Sequence, residues 1–179
     1  MYYSMRYLSP LGPLVVVSDG KHIVGLWMEG QKYFSDTIKE TPTEKESLPA
    51  LQAAKNWLDR YFSGQKPESG ELLLAPAGGD FRQEVWDILR SIPYGRVTTY
   101  GQIAKAIAKK RRIKSMSAQA VGGAVGRNPI SIMIPCHRVI GANGSLTGYA
   151  GGLSKKKKLL ELENADMSCL FIPDKTASL

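Results

Sequence analysis

The stretch Thr98–Pro129 reads TTYGQIAKAIAKKRRIKSMSAQAVGGAVGRNP. Its first part predicts a helix opening at TTYGQIAKAIA, with Thr98 or Thr99 as N-cap. The run KKRRIK, Lys109–Lys114, is a basic connection. A second, short helix follows, capped by Ser117 and ended by Gly126 and Pro129. Two helices joined in this way form the pattern of a helix-turn-helix. The second helix is nearly bare of side chains, with Ala118, Ala120, Gly122, Gly123 and Ala124. Each mid-helix glycine costs roughly 1 kcal/mol against alanine, so something is expected to approach this backbone closely. Another helix would do so, and so would a nucleic-acid backbone or groove. A recognition helix without polar readers favours sequence-independent contact, through the minor groove rather than the major. Val121 and Val125, four apart, share one face. Gln119 lies about 200° from Val121 around the helix and so points away from that face.

Upstream, helical periodicity begins at Phe81 and continues through Val85, Ile88 and Leu89, until IPYG stops it at Pro93 and Gly95. Before it, APAGGD (Ala75–Asp80) is small and contains Gly and Pro, which marks a boundary. The first third reads as strands and turns. YYSMRYL, PLVVVS and HIVGLWM are rich in aromatic and β-branched residues, with turn signals at Pro10–Pro13 and Asp19–Gly20. Residues 40–47 read as a loop, residues 48–62 as an amphipathic helix, and Leu72–Leu74 as a short strand. Downstream, SKKKKLLELE predicts a last helix capped by Ser154, with Lys155–Lys158 as a solvated face. The tail from Asn164 is expected to pack loosely. The fold class is thus α+β, with a mixed α/β domain over 1–77, a mainly helical domain over 78–165 and a tail over 166–179.

The chain has 179 residues, a hydrophobic share of 43% and a formal net charge of +8. That length allows one large or two small domains, and the charge suits a polyanionic partner as well as a merely basic soluble protein. No run approaches the 18 or so apolar residues of a membrane span. Two cysteines, Cys136 and Cys169, make no disulfide framework, and free thiols point to a reducing, cytoplasmic setting. No paired ligand spacing joins Cys136, His137, Cys169 and His22, so no metal is expected.

Cys136 is followed directly by His137 and Arg138, between Pro135 and Val139. A thiol attacks as its thiolate, and a nearby base or cation raises that fraction. Adjacent residues of an extended segment face opposite ways, which leaves a water between Cys136 and His137 as the better link. A single cysteine is also a common small core residue, and the residues alone leave both readings open.

IPCHRVIGANGSLTGYAGG (Ile134–Gly152) closely resembles the active-site signature of the O6-alkylguanine-DNA alkyltransferases, also called methylated-DNA–protein-cysteine methyltransferases. FRQEVWDILRSIPYGRVTTYGQIA, AVGGAVGRNPISIMIPCHRV and GGLSKKKKLLELE follow that family in order and spacing, and SPLGPLVVVSDGKHIVGLWMEGQKYF is similar to its amino-terminal domain. The resemblance covers roughly Tyr3–Glu163. It implies a ribonuclease-H-like first domain and a winged-helix-like second one. It also implies direct reversal of DNA damage: the protein flips a lesion base from duplex DNA and takes its alkyl group, once and irreversibly.

By the same resemblance Cys136 is the acceptor, His137 draws its proton through a water, Glu163 orients that histidine and Asn128 braces the active-site segment. Tyr100 presses on the lesion's phosphate and donates to the purine. Tyr149 walls the pocket, and the Val139 carbonyl accepts from the guanine amino group. Ala120, Gly122 and Arg127 are expected on the DNA-facing side, and Arg138 in a structural salt bridge. No cofactor or metal is implied. The expected partner is duplex DNA bearing O6-alkylguanine, with O4-alkylthymine a further candidate, met by a monomer without a membrane. In one place the chain departs from the pattern. Much of the family has an arginine just before AVGG to fill the gap left by the flipped base, and here that position is Gln119. Binders that only mark lesions replace the cysteine. Regulators of this family add cysteine-rich metal domains for which this chain has no room.

Overall fold

β1 (Tyr3–Ser9) and β2 (Gly12–Ser18) pair antiparallel through a tight turn, which Gly12 enters at φ +101°. β3 (Ile23–Met28) pairs antiparallel with β2. Alternation sends Met5 and Tyr7 of β1 and Leu14 and Val16 of β2 inward. The computed structural model describes residues 1–174. Its described residues fall into two compact units, Met1–Gly79 with Asn128–Ile134, and Asp80–Arg127 with the chain from Pro135.

In the first unit the sheet order is β3-β2-β1-β4, where β4 (Thr43–Glu44) runs parallel to β1. This small strand lies where the sequence reads as loop; its two residues are exposed and carry no apolar signal. α1 (Pro49–Phe62) packs on the sheet with Leu51, Ala54, Trp57, Leu58 and Tyr61 buried. Leu72–Leu74 supplies a single bridge, Leu74 to Ile23, rather than a strand. Asn128–Ile134 joins this unit because it continues the pairing beyond β3. The Leu26 amide donates to the Pro129 carbonyl and the Ser131 amide to the Leu26 carbonyl, each at 2.9 Å.

The second unit is built on α2 (Asp80–Arg90), α3 (Tyr100–Arg111) and α4 (Ala118–Gly126). Thr99 caps α3 in a reciprocal box with Gln102, and Ser117 caps α4 by accepting from the Ala120 amide. Arg112, left-handed at φ 55°, turns the chain out of α3. The fully buried Trp86 ties α2 to α4 by donating to the Ala124 carbonyl at 3.0 Å. Val121 and Val125 are buried while Gln119 and Ala120 stay exposed. β5 (Thr98–Thr99) and β6 (Val139–Ile140) pair in parallel. This pairing sets the start of α3 beside the chain that leaves Cys136.

α5 (Leu153–Leu162) corrects two expectations. Its N-cap is Gly152, at φ 92°, with no side-chain cap, so Ser154 lies inside the helix. Lys156 is not solvated. It is fully buried among Lys155, Lys157 and Lys158, because one helical position in this run faces the core. The tail is corrected too. Ala165 is buried with Ile140, Leu146 and Leu160, and Met167 and Leu170 pack on that cluster. The rest of the expected loose tail, 175–179, lies outside the described residues.

Candidate active site

Cys136, His137 and Arg138 form one turn of 3-10 helix rather than an extended segment, and all three are buried. The turn leads directly into β6, so the pairing with β5 holds it near the start of α3. Cys136 is 6% exposed.

His137 is fully buried, and its Nε2 lies 2.6 Å from Glu163 Oε1. Glu163 is the C-cap of α5. Its other partners are Arg138, whose Nε donates to Oε2 at 2.8 Å and whose second guanidinium nitrogen donates to Oε1 at 2.9 Å, and the Gly95 amide, which donates to Oε2 at 3.1 Å. Arg138 also donates to the Ile92 carbonyl at 2.5 Å. The expected structural role of Arg138 is thus a bidentate grip on the carboxylate that His137 shares.

Burial alone would raise the Glu163 carboxyl pKa, but His137 and the Arg138 fork hold it far below the usual carboxylate range. Burial pushes the His137 imidazole pKa down, outweighing the upward pull of Glu163, with Arg138 and Lys156 adding to the fall. A neutral imidazole beside an ionised carboxylate carries its proton on Nε2, which leaves Nδ1 as the basic nitrogen.

Tyr100, the first residue of α3, donates from its hydroxyl to the Thr147 carbonyl at 3.0 Å. A Cβ at Gly122 of α4 would lie 3.7 Å from the Tyr100 ring, and one at Gly123 would meet open space. The contact at Gly122 is an ordinary van der Waals one, so neither glycine is required by its neighbours in the fold, and Gly123 leaves the outer side of α4 clear. Tyr149 is buried, and its hydroxyl oxygen has no hydrogen-bond partner among the described residues. Burial, then negative charge at Cys136 and Glu163, raise its pKa well above the ordinary phenol value.

Asn128 sits in the first unit. There its Nδ2 donates to the Ile134 carbonyl at 2.8 Å and its Oδ1 accepts from the Ile130 amide at 3.0 Å. These bonds tie the two ends of the Asn128–Ile134 segment together. Arg127, the C-cap of α4, and Lys109, Lys110, Arg112 and Lys114 are exposed. Arg111 is drawn aside to Glu84 at 3.0 Å. His22 pairs with Asp19 at the surface, and Cys169 is exposed. No three His, Cys, Asp or Glu side chains among the described residues could hold a metal ion.

One residue of this site went unread in the sequence. Lys156 Nζ donates to the Val139 carbonyl at 2.5 Å and to the Thr147 carbonyl at 2.7 Å. The Val139 carbonyl, expected to face a guanine amino group, already accepts one bond. The signal lay in register: Lys156 stands three and four residues before Leu159 and Leu160, on the buried side of α5. Burial lowers its pKa from 10.5 to about 8, against the attraction of Cys136. Between those values the unfolded chain binds more protons than the folded one, so stability rises with pH across that window. Lys156→Met should flatten that rise and leave two buried carbonyls short of a donor, at about 1–3 kcal/mol each. Urea unfolding of parent and variant at both ends of the window checks it.

Comparison with known proteins follows the same outline. Residues 80–165 match the model described as 6-O-methylguanine DNA methyltransferase, DNA binding domain, and residues 1–76 match its ribonuclease-like domain. The chain belongs to the 6-O-methylguanine DNA methyltransferase family. The methylated-DNA–protein-cysteine methyltransferase of Haemophilus influenzae is 40% identical, covering 91% of this chain and 86% of that protein. The one from Methanosarcina acetivorans is 42% identical, covering 92% and 99%. The crystal structure of the Mycobacterium tuberculosis O6-methylguanine methyltransferase superposes with a TM-score of 0.76 at 41% identity, covering 92% of this chain and 93% of that one. A Mycobacterium tuberculosis OGT crystallised in complex with DNA gives 0.75 at 41%, covering 91% and 92%. As a member of this family, the chain is a DNA-repair methyltransferase that moves an alkyl group from DNA to a cysteine.

Proposed function

We propose that Cys136 is the acceptor and that the substrate is O6-alkylguanine flipped out of duplex DNA. The observation that carries this reading is the buried relay beside the sulfur, with Cys136 and His137 in one turn and His137 held at 2.6 Å by Glu163. The thiolate attacks the alkyl carbon. A sulfur–carbon bond forms as the carbon–O6 bond breaks, and the electron pair leaves on guanine O6. The thiol proton passes through a water to His137 Nδ1 and then balances the released guanine. Asn128 steadies the segment before Cys136, and Tyr149 walls the pocket. Tyr100 presses on the lesion's phosphate, while Ala120, Gly122 and Arg127 face the duplex. Because the thioether is not reopened, each chain, acting as a cytoplasmic monomer, works once. O4-alkylthymine fits the same displacement. The test is the mass of the tryptic peptide Asn128–Arg138 after mixing with a duplex carrying O6-methylguanine. One methyl per chain on that peptide is expected; a methyl on the Cys169 peptide, or continued turnover, overturns the reading.

Gln119 is the side chain that fills the vacated stack in this reading. It is exposed on the side of α4 away from the buried Val121 and Val125. Unstacking a base costs a few kcal/mol, part of which a side chain in the gap recovers. Gln119→Ala should slow repair of duplex DNA and leave the reaction with free O6-methylguanine base nearly unchanged, whereas Gln119→Arg should keep or improve duplex repair. Single-turnover rates on both substrates decide. An unchanged duplex rate for Gln119→Ala moves the role to Arg127 or the Lys109–Lys114 segment.

A further inference from the structure

Residues 166–174 lie beyond the matched DNA-binding domain, which ends at 165, yet part of this segment is paired with the loop that follows Cys136. The Leu146 amide donates to the Phe171 carbonyl at 2.8 Å, and the Phe171 amide donates to the Gly144 carbonyl at 3.2 Å. Ser145 and Phe171 thereby form a parallel bridge. Gly144 stands at φ +87°, and a Cβ there would come within 2.0 Å of the Cys169 carbonyl oxygen. The tail therefore runs tight against a position that only glycine leaves open. Met167 and Leu170 pack against the cluster of Ile140, Leu146, Leu160 and Ala165, in which Leu146 is fully buried.

Leu146 is held by its amide and by its side chain, and the next residue is Thr147. The Thr147 carbonyl accepts from Tyr100 at 3.0 Å and from Lys156 at 2.7 Å. Where that carbonyl sits decides where the Tyr100 hydroxyl sits. A Cβ at Gly148 would lie 3.0 Å from the same hydroxyl oxygen, so the phenol lies close against this loop.

We infer that Met167–Phe171 is a positioning strap: by pairing with Gly144 and Leu146 it sets the Thr147 carbonyl and, through it, the Tyr100 hydroxyl at the point where a base is turned out. The inference rests on the reading of Tyr100 and Cys136 given above. Phe171 itself acts through its backbone, since its side chain is 46% exposed. The strap acts through the pressure of Tyr100 on the lesion's phosphate, a flipping role that the free base does not need.

The test uses the full chain with Phe171→Pro, which removes the N–H given to Gly144, and Phe171→Ala, which keeps it. Leu170→Ala, which loosens the anchor, stands in if the proline variant does not fold. Single-turnover methyl transfer is measured from duplex DNA carrying O6-methylguanine and from the free base. Loss of one such bond should slow the duplex reaction about tenfold for Phe171→Pro, with Phe171→Ala within about twofold of the parent. The free-base rate should stay within about twofold throughout, which a general loss of structure would not allow. In a Tyr100→Phe background the strap substitution should add almost nothing, because both changes cut the same link. Parent-like duplex rates in both strap variants, equal slowing on both substrates, or losses that simply multiply with Tyr100→Phe would overturn the strap. A parent chain that leaves Cys136 unmethylated would overturn instead the reading beneath it.

Discussion

Cys136→Ala should abolish methyl transfer while leaving affinity for undamaged duplex DNA within about twofold. The loss is complete because the sulfur is itself the group that forms the new bond, and no side chain that remains can replace it. Cys169, the other thiol, is exposed beside the Ser168 hydroxyl, while the two histidines pair with Asp19 and Glu163. Binding should survive because the basic residues and the bare side of α4 belong to a helix pair whose packing does not involve the sulfur. Trp86 ties α2 to α4 through the Ala124 carbonyl, and Val121 and Val125 are buried with it. Stability should change by only about 1 kcal/mol, the scale of trimming one small buried side chain. Radiolabel transfer, duplex titration and urea unfolding on one preparation check the three parts. Residual stoichiometric transfer in this variant would remove Cys136 from the chemistry.

Glu163→Gln should cost about 3–5 kcal/mol of stability and slow transfer about a hundredfold. The stability loss follows from the partners left behind. Arg138 gives two hydrogen bonds to Glu163 and is 8% exposed. An amide offers one acceptor where three side-chain donors and the Gly95 amide converge. Its NH2 would face donors, and the guanidinium charge would stay buried without its counter-charge. The rate falls because His137, already biased toward neutrality by burial, loses the carboxylate that supports its positive form. The Arg138 fork, left without its counter-charge, makes the stability effect larger than a lone His–Glu pair would give.

The pH sign is set by the lowered Glu163 value. Its contribution is present above the ordinary 4.5 and is lost as pH falls through the depressed folded value. The parent and Glu163→Gln should therefore differ most at neutral pH and converge in acid. Urea midpoints across that range measure it, and a constant difference down to strong acid would count against the ionised carboxylate.

Much of this was legible in the chain itself. Periodicity and capping residues placed α2, α3 and α4, because caps, turn glycines and apolar spacing act within a few residues of where they stand. Thr99 with Gln102, Ser117 with the Ala120 amide, and the shared face of Val121 and Val125 are local physics, and so is the exposure of Gln119 opposite them. The Pro-Cys-His-Arg run was equally plain as a string of residue types.

Burial and long-range pairing were not legible, since they depend on what the rest of the chain brings alongside. Four consecutive lysines read as solvent-facing; α5 packing against the Cys136–Arg138 turn put Lys156 inside, where two carbonyls separated in sequence receive it. The tail from Asn164 read as loose. Its order comes from backbone pairing with Gly144 and Leu146, which no side-chain pattern announces. The short segment Asn128–Ile134 left its sequence neighbours for the sheet because a strand edge at Leu26 offered unpaired amide and carbonyl groups. Composition and spacing determined which groups this protein has for chemistry. Only the tertiary structure decided which of them are dry, which are paired, and which carbonyls hold them in place, because desolvation and hydrogen-bond satisfaction are properties of the packed chain.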